Sequence, residues 1–265
     1  MLKEAMQNPV GCEKLRFKYN QGSDLGFGKT LWNLIRDAYL PISLIILVFG
    51  IGIALMQYFP LPSGGCYTNT LNISISGSCS LVASKTNLLG SITGILVMLN
   101  PNMVYNELSG FVAATMFLVI GGLMLGSKQR REISKLFVSL SVVGSIIATE
   151  LWIFLPHLVV YSYGPSGLSY AEFGFVFSFC LFNMAFSLKG FRKLNGSITL
   201  ALNGAIFAAL LLTLIFSPKI LFNISPNVNY PLHELSFLFT FIGSAVYFYY
   251  CKSQKLDLVG GKPKP

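Results

Sequence analysis

Of the residues able to form a covalent bond with a substrate, one serine has a distinctive setting. Ser166 lies within Tyr163-Gly164-Pro165-Ser166-Gly167-Leu168-Ser169-Tyr170-Ala171-Glu172-Phe173-Gly174, where a Gly/Pro-rich loop turns directly into an apolar run. Proline pre-sets the first turn of a helix, and Gly164 and Gly167 let neighbouring backbone come close. Ser166 is therefore expected at a helix N-terminus, among backbone N–H groups that have no partner within the helix. A hydroxyl so placed attacks a carbonyl only with a base beside it. Without that base, Gly-Pro-Ser-Gly is an ordinary turn before a helix. The histidines available are His157 and His233.

The elements that must position these groups are membrane spans. The 265 residues are 53% hydrophobic and 11% charged, with a mean hydropathy of +0.64, whereas soluble domains carry about a quarter charged residues. Apolar runs of spanning length, about 20 residues, recur along almost the whole chain. This predicts an all-α polytopic membrane protein with no separate soluble domain. The first run follows more than thirty mostly polar residues and exceeds signal-peptide length, so it reads as a retained helix.

The net charge of +9 points to topology rather than to a nucleic-acid partner. Lys3 to Arg36, Lys128 to Lys135, Lys189 to Lys193 and Lys252 to Lys264 hold all the basic residues except Lys85 and Lys219. Alternate loops rich in Lys and Arg face the cytoplasm. Both termini are thus expected to be cytoplasmic, in a protein of the cell membrane.

Residues 1–36 form the expected cytoplasmic N-terminal segment, 37–251 a six-span membrane domain, and 252–265 a cytoplasmic tail. The spans are read as about Asp37 to Phe59, Tyr105 to Leu125, Lys135 to Leu155, Ser166 to Leu188, Ser197 to Phe216 and Leu232 to Cys251. A long external loop, 60–103, carries Cys66 and Cys79, whose spacing does not by itself decide whether they bridge. It also carries an apolar stretch, Leu88 to Leu99, too short to cross and expected in the interface or re-entering. Asn72-Ile73-Ser74 and Asn223-Ile224-Ser225 are sequons in expected external loops.

Spans 4 and 6 both enter from the external face, so Ser166 and His233 are expected at similar depth near it. Ser166, Tyr170 and Gly174 follow one another at i+4 on span 4. His233, Ser236, Thr240, Gly243 and Ser244 fall near one face of span 6, and small residues there would let the two backbones approach. A neutral imidazole in reach of Ser166 could take its proton during attack on a carbonyl and return it to the leaving amine. With no Asp nearby, the pattern fits a dyad rather than a triad. Taken alone, His233 reads as a polar residue at a membrane boundary that caps a helix or bonds a loop carbonyl, and His157 is a competing base nine positions before Ser166. Glu107, Glu150, Glu172 and Glu234 are notable because acids are costly in a bilayer and tend to face partners or water. No metal-ligand cluster, phosphate loop or nucleotide fingerprint is present, so no metal or cofactor is expected. Cys12, Cys180 and Cys251 have no informative spacing.

These residues resemble the rhomboid family of intramembrane serine proteases. Gly164, Ser166, Gly167, Tyr170, Ala171 and Gly174 match the family's fourth-helix pattern Gly-x-Ser-Gly-x-x-Tyr-Ala-x-x-Gly. His233, Ser236 and Thr240 are similar to the sixth-helix pattern His-x-x-Gly-x-x-x-Gly, with Ser and Thr in place of the glycines. Asn106 to Gly122 resembles the second helix. The resemblance implies a six-helix rhomboid-like bundle, Ser166 as nucleophile, His233 as general base and Tyr170 packed beside the histidine. It implies transmembrane protein substrates cleaved near the external face.

The chain departs from that family on the second helix. The usual His and Asn, which donate to the oxyanion, are replaced by Ser109 or Gly110 and by Ala113 or Ala114, and the family's Trp-Arg pair in the first external loop is absent. Loss of a side-chain donor costs about 10²-fold or more in rate, which leaves backbone N–H groups at the Ser166 helix start and Asn106 as candidate donors. Two rival readings follow: an inactive rhomboid-like protein that binds transmembrane segments, and a small transporter using the intramembrane glutamates. No internal repeat encourages the second.

Overall fold

The computed structural model describes residues 27–58, 89–96, 101–154, 165–188, 194–216 and 230–260. Among them the chain is helical, with no strand. In order these are α1 (Phe27–Asp37), α2 (Tyr39–Tyr58), a short α3 (Gly90–Thr93) continued by a 3₁₀ turn (Gly94–Leu96), α4 (Pro101–Gly121), α5 (Ser127–Phe154), α6 (Ser166–Ser187), α7 (Leu194–Phe216) and α8 (Tyr230–Gly260). The helices α2, α4, α5, α6, α7 and α8 are long and apolar enough to cross a membrane.

The helix boundaries follow local chemistry. Pro101 opens α4 and Pro231 lies in the first turn of α8, where a missing N–H costs nothing. At the start of α5 the Gln129 Oε1 accepts from the Gly126 N–H at 2.9 Å, the reciprocal arm of a capping box. That cap starts α5 eight residues before Lys135, the expected start of the third span, so Lys128, Arg130 and Arg131 lie on helix rather than in a loop. At the other end of the chain α8 does not stop at Cys251 but runs to Gly260. Lys252 to Val259 contains no glycine or proline to break the helix.

The helix α6 is central. Within its span 67% of residues are buried inside the protein, against 22–44% in the other five. It packs against α4, α5, α7 and α8. Its inner face contributes Phe175 and Phe179, which meet Phe137 of α5 and Phe248 of α8. Phe137 and Phe175 cross edge to face at 5.5 Å between ring centres, and Phe175 and Phe248 at 5.7 Å. Lipid is as apolar as a leucine side chain, so such contacts hold the bundle by packing rather than by escape from water.

Two further features set the frame. Asn183 of α6 and Asn203 of α7 both donate to the Gly121 carbonyl at the end of α4, at 3.2 and 3.0 Å. They satisfy an orphan carbonyl of a helix C-terminus and join three helices. At the opposite end the expected interfacial or re-entrant stretch is the short α3 and its 3₁₀ turn. Ile95 packs with Val48 and Phe49 of α2, Phe111 of α4 and Leu168 of α6.

Candidate functional site

The first helical residue of α6 is Ser166. Pro165 stands at the N-cap with φ −77° and ψ −3°, and it offers no side-chain cap. Its carbonyl accepts from the Ser169 N–H at 3.1 Å, which leaves the N–H groups of Ser166, Gly167 and Leu168 at the open end of the helix without intrahelical partners. His233 lies in the first turn of α8. The two helix starts meet, with His233 Nε2 2.7 Å from Ser166 Oγ.

Among the described residues the imidazole is held by packing rather than by a third polar residue. It is buried and stacks on Tyr170, with ring centres 4.3 Å apart and planes 12° from parallel. Among the described residues Nδ1 has no hydrogen-bond partner. The arrangement is a serine–histidine pair with an aromatic platform.

Close approach of α6 to α8 makes that distance possible. A Cβ added at Gly174 would overlap the backbone carbonyl of Phe237. A Cβ at Gly167 would meet Ser145 Oγ at 3.2 Å and Ser236 Oγ at 3.4 Å, so the start of α6 is wedged between α5 and α8. The small residues expected to line α8 against α6 divide differently. Thr240 faces α5, against Gly144 and 3.5 Å from the Leu140 carbonyl, and a Cβ added at Gly243 would meet no described residue of another helix within 4 Å. The rotation of α8 about its own axis, which spacing does not specify, gives this result.

The expected oxyanion donors fare unequally. Asn106 is exposed near the start of α4, and its backbone carbonyl accepts from Ser109 Oγ at 2.7 Å. Gly110 lies against Ser169 and Phe173 of α6: a Cβ there would come within 2.5 Å of Ser169 Oγ. In place of a side-chain donor, this part of α4 presents a glycine packed on α6. Gly164, His157, Cys66, Cys79, Cys12, Asn72 and Asn223 lie outside the described residues.

The intramembrane acids also separate. Glu150 accepts from Ser91 Oγ at 2.5 Å, which joins the end of α5 to α3. Glu107 is half-buried and Glu234 exposed. Glu172 is fully buried, and among the described residues neither of its carboxyl oxygens has a hydrogen-bond partner. The expected pairing between helices is therefore present at Glu150 and not seen at Glu172. Cys180 is free and buried, whereas Cys251 is disulfide-bonded. No group of His, Cys, Asp and Glu among the described residues could hold a metal ion.

Sequence reasoning missed the partners of Gly167 and Thr240 on α5. It also missed the ion pair between Asp37 and Arg130, whose residues stand 93 positions apart. Gly144-Ser145 in the middle of span 3 was the available signal for a close helix contact. Comparison with known proteins adds no relative: no family model matches the chain, and no curated protein or solved structure matches it.

Proposed function

We propose that this protein is an intramembrane serine protease that hydrolyses a peptide bond of membrane-anchored substrates. The observation that carries the reading is the 2.7 Å approach of His233 Nε2 to Ser166 Oγ, with both residues at the starts of adjacent helices. In the proposed reaction neutral His233 accepts the Ser166 proton as Oγ adds to the carbonyl carbon. The imidazolium returns the proton to the leaving amine, and an acyl-enzyme remains on Ser166. Water then attacks the ester with His233 taking its proton, and the imidazolium returns that proton to Ser166 Oγ as the acyl C–O bond breaks and the carboxylic acid leaves. Tyr170 holds the ring in its plane, and the free N–H groups at the start of α6 are the donors for the oxyanion. The distribution of Lys and Arg supports cytoplasmic termini and a reaction near the external face of the cell membrane.

One observation favours a second reading, a protein that binds transmembrane segments without cutting them. Asn106 is exposed, and the positions of α4 that the rhomboid resemblance assigns to side-chain oxyanion donors carry Ser109 or Gly110 and Ala113 or Ala114. Labelling by a fluorophosphonate separates the two. Wild type should label, and Ser166→Ala and His233→Ala should not. If wild type stays unlabelled in a detergent where an active rhomboid protease labels, the binding reading replaces the protease.

A further inference from the structure

At the end of the bundle opposite Ser166, the short helix α1 is joined to the spanning helix α2 by Ala38 alone. The last turn of α1 therefore stands at the boundary of the spanning segment. Its last residue, Asp37, is buried and anchored to α5: Oδ2 accepts from Arg130 Nη2 at 2.7 Å and Nε at 3.0 Å, and Oδ1 accepts from Ser127 Oγ at 2.7 Å. Ser134 Oγ donates to the Asp37 backbone carbonyl at 2.9 Å. These bonds fix the direction in which α1 leaves the bundle.

The pairing leaves positive charge over. Arg130 satisfies Asp37, yet Arg36 Nε and Arg131 Nε also lie 3.8 and 3.6 Å from Asp37 Oδ1, with side chains 53% and 49% exposed. Lys128 is exposed beside them, whereas Lys135 is matched by Glu132 at 3.0 Å. Two half-exposed guanidinium groups thus flank a carboxylate already neutralised by a third. On α1, Trp32 and Ile35 are 66 and 46% exposed and stand at i and i+3, on one helical face, with Arg36 beside them. Aromatic and aliphatic side chains bordered by arginine are what a helix lying in the headgroup layer presents.

We propose that this surface binds anionic phospholipid of the adjoining leaflet, with the headgroup phosphate between Arg36 and Arg131 and with Trp32 and Ile35 in the acyl boundary. Guanidinium forks match phosphate oxygens in geometry and charge. Each arginine near an anionic surface favours such lipid about fivefold.

The test uses the full chain in nanodiscs of phosphatidylcholine that contain a minor fraction of lipid with brominated acyl chains, which quench nearby tryptophan. The Trp32 signal is the difference between wild type and Trp32→Phe, a change at an exposed position that leaves the fold intact. Brominated phosphatidylglycerol should quench Trp32 several-fold more than brominated phosphatidylcholine at the same fraction. The excess should vanish in Arg36→Gln/Arg131→Gln and persist in Arg36→Lys/Arg131→Lys, which also controls for folding. Equal quenching of wild type by the two brominated lipids would overturn the proposal, as would an excess unchanged in the glutamine pair.

Discussion

Gly174 of α6 faces the backbone carbonyl of Phe237 of α8 with no space for even a methyl group between them. This contact lies two helical turns from Ser166, and it sets how closely the two helix starts can approach. Gly174→Ala should push α8 away from α6 and open the Ser166–His233 distance. Overpacking of this kind costs about 1–3 kcal/mol. The expected outcome is a lower melting temperature in detergent together with at least a tenfold loss of fluorophosphonate labelling. Unchanged labelling would mean that the close approach is not what holds the pair together.

Ser166→Ala and His233→Ala should each abolish cleavage of a transmembrane substrate while the protein stays folded and monodisperse. A general base contributes about 10²–10⁴-fold, so the histidine variant is expected at least two orders of magnitude below wild type. Cleavage that survives in both variants removes the proposed chemistry.

Tyr170 bears on His233 through ring stacking, a contact worth about 0.5–1.5 kcal/mol between aromatic rings. Tyr170→Phe keeps the platform and should retain activity within about twofold. Tyr170→Leu removes it and should lower kcat about tenfold, with little change in KM. Equal effects of the two substitutions would point to the phenol hydroxyl rather than the ring.

The exposure of Asn106 argues that the oxyanion relies on the backbone at the start of α6. Asn106→Ala should therefore change kcat less than about threefold. A loss of about 10²-fold, the scale for a side-chain donor, would bring this amide back into the site.

Asn183 and Asn203 share the Gly121 carbonyl, so either can satisfy it alone. Within a membrane such bonds are worth about 0.6 kcal/mol on average. Single replacement of Asn183 or Asn203 by Leu should lower the melting temperature slightly. The double variant should lose more than the sum, because the carbonyl is then buried without a partner. Strict additivity in a double-mutant cycle would show that the two bonds are independent.

Much of this protein was legible before any fold. Apolar length alone predicts six spans, because a bilayer core demands about 20 apolar residues in a row and the pattern is local. Pro165 and Gly167 mark Ser166 as a helix start, and alternation of spans brings His233 to its depth, since both deductions need only connectivity. What tertiary packing decided is rotation and distance. That Thr240 turns to α5, that Ser236 reaches Gly167, that Asn106 faces outward and that Glu172 is buried apart from any described partner all depend on how each helix is rotated in the bundle. In a lipid solvent hydropathy does not specify that rotation, because an apolar face is equally content against lipid or protein; shape complementarity at small residues does. The pairing of Asp37 with Arg130, across 93 positions, and the 2.7 Å between His233 and Ser166 arise only when those surfaces close.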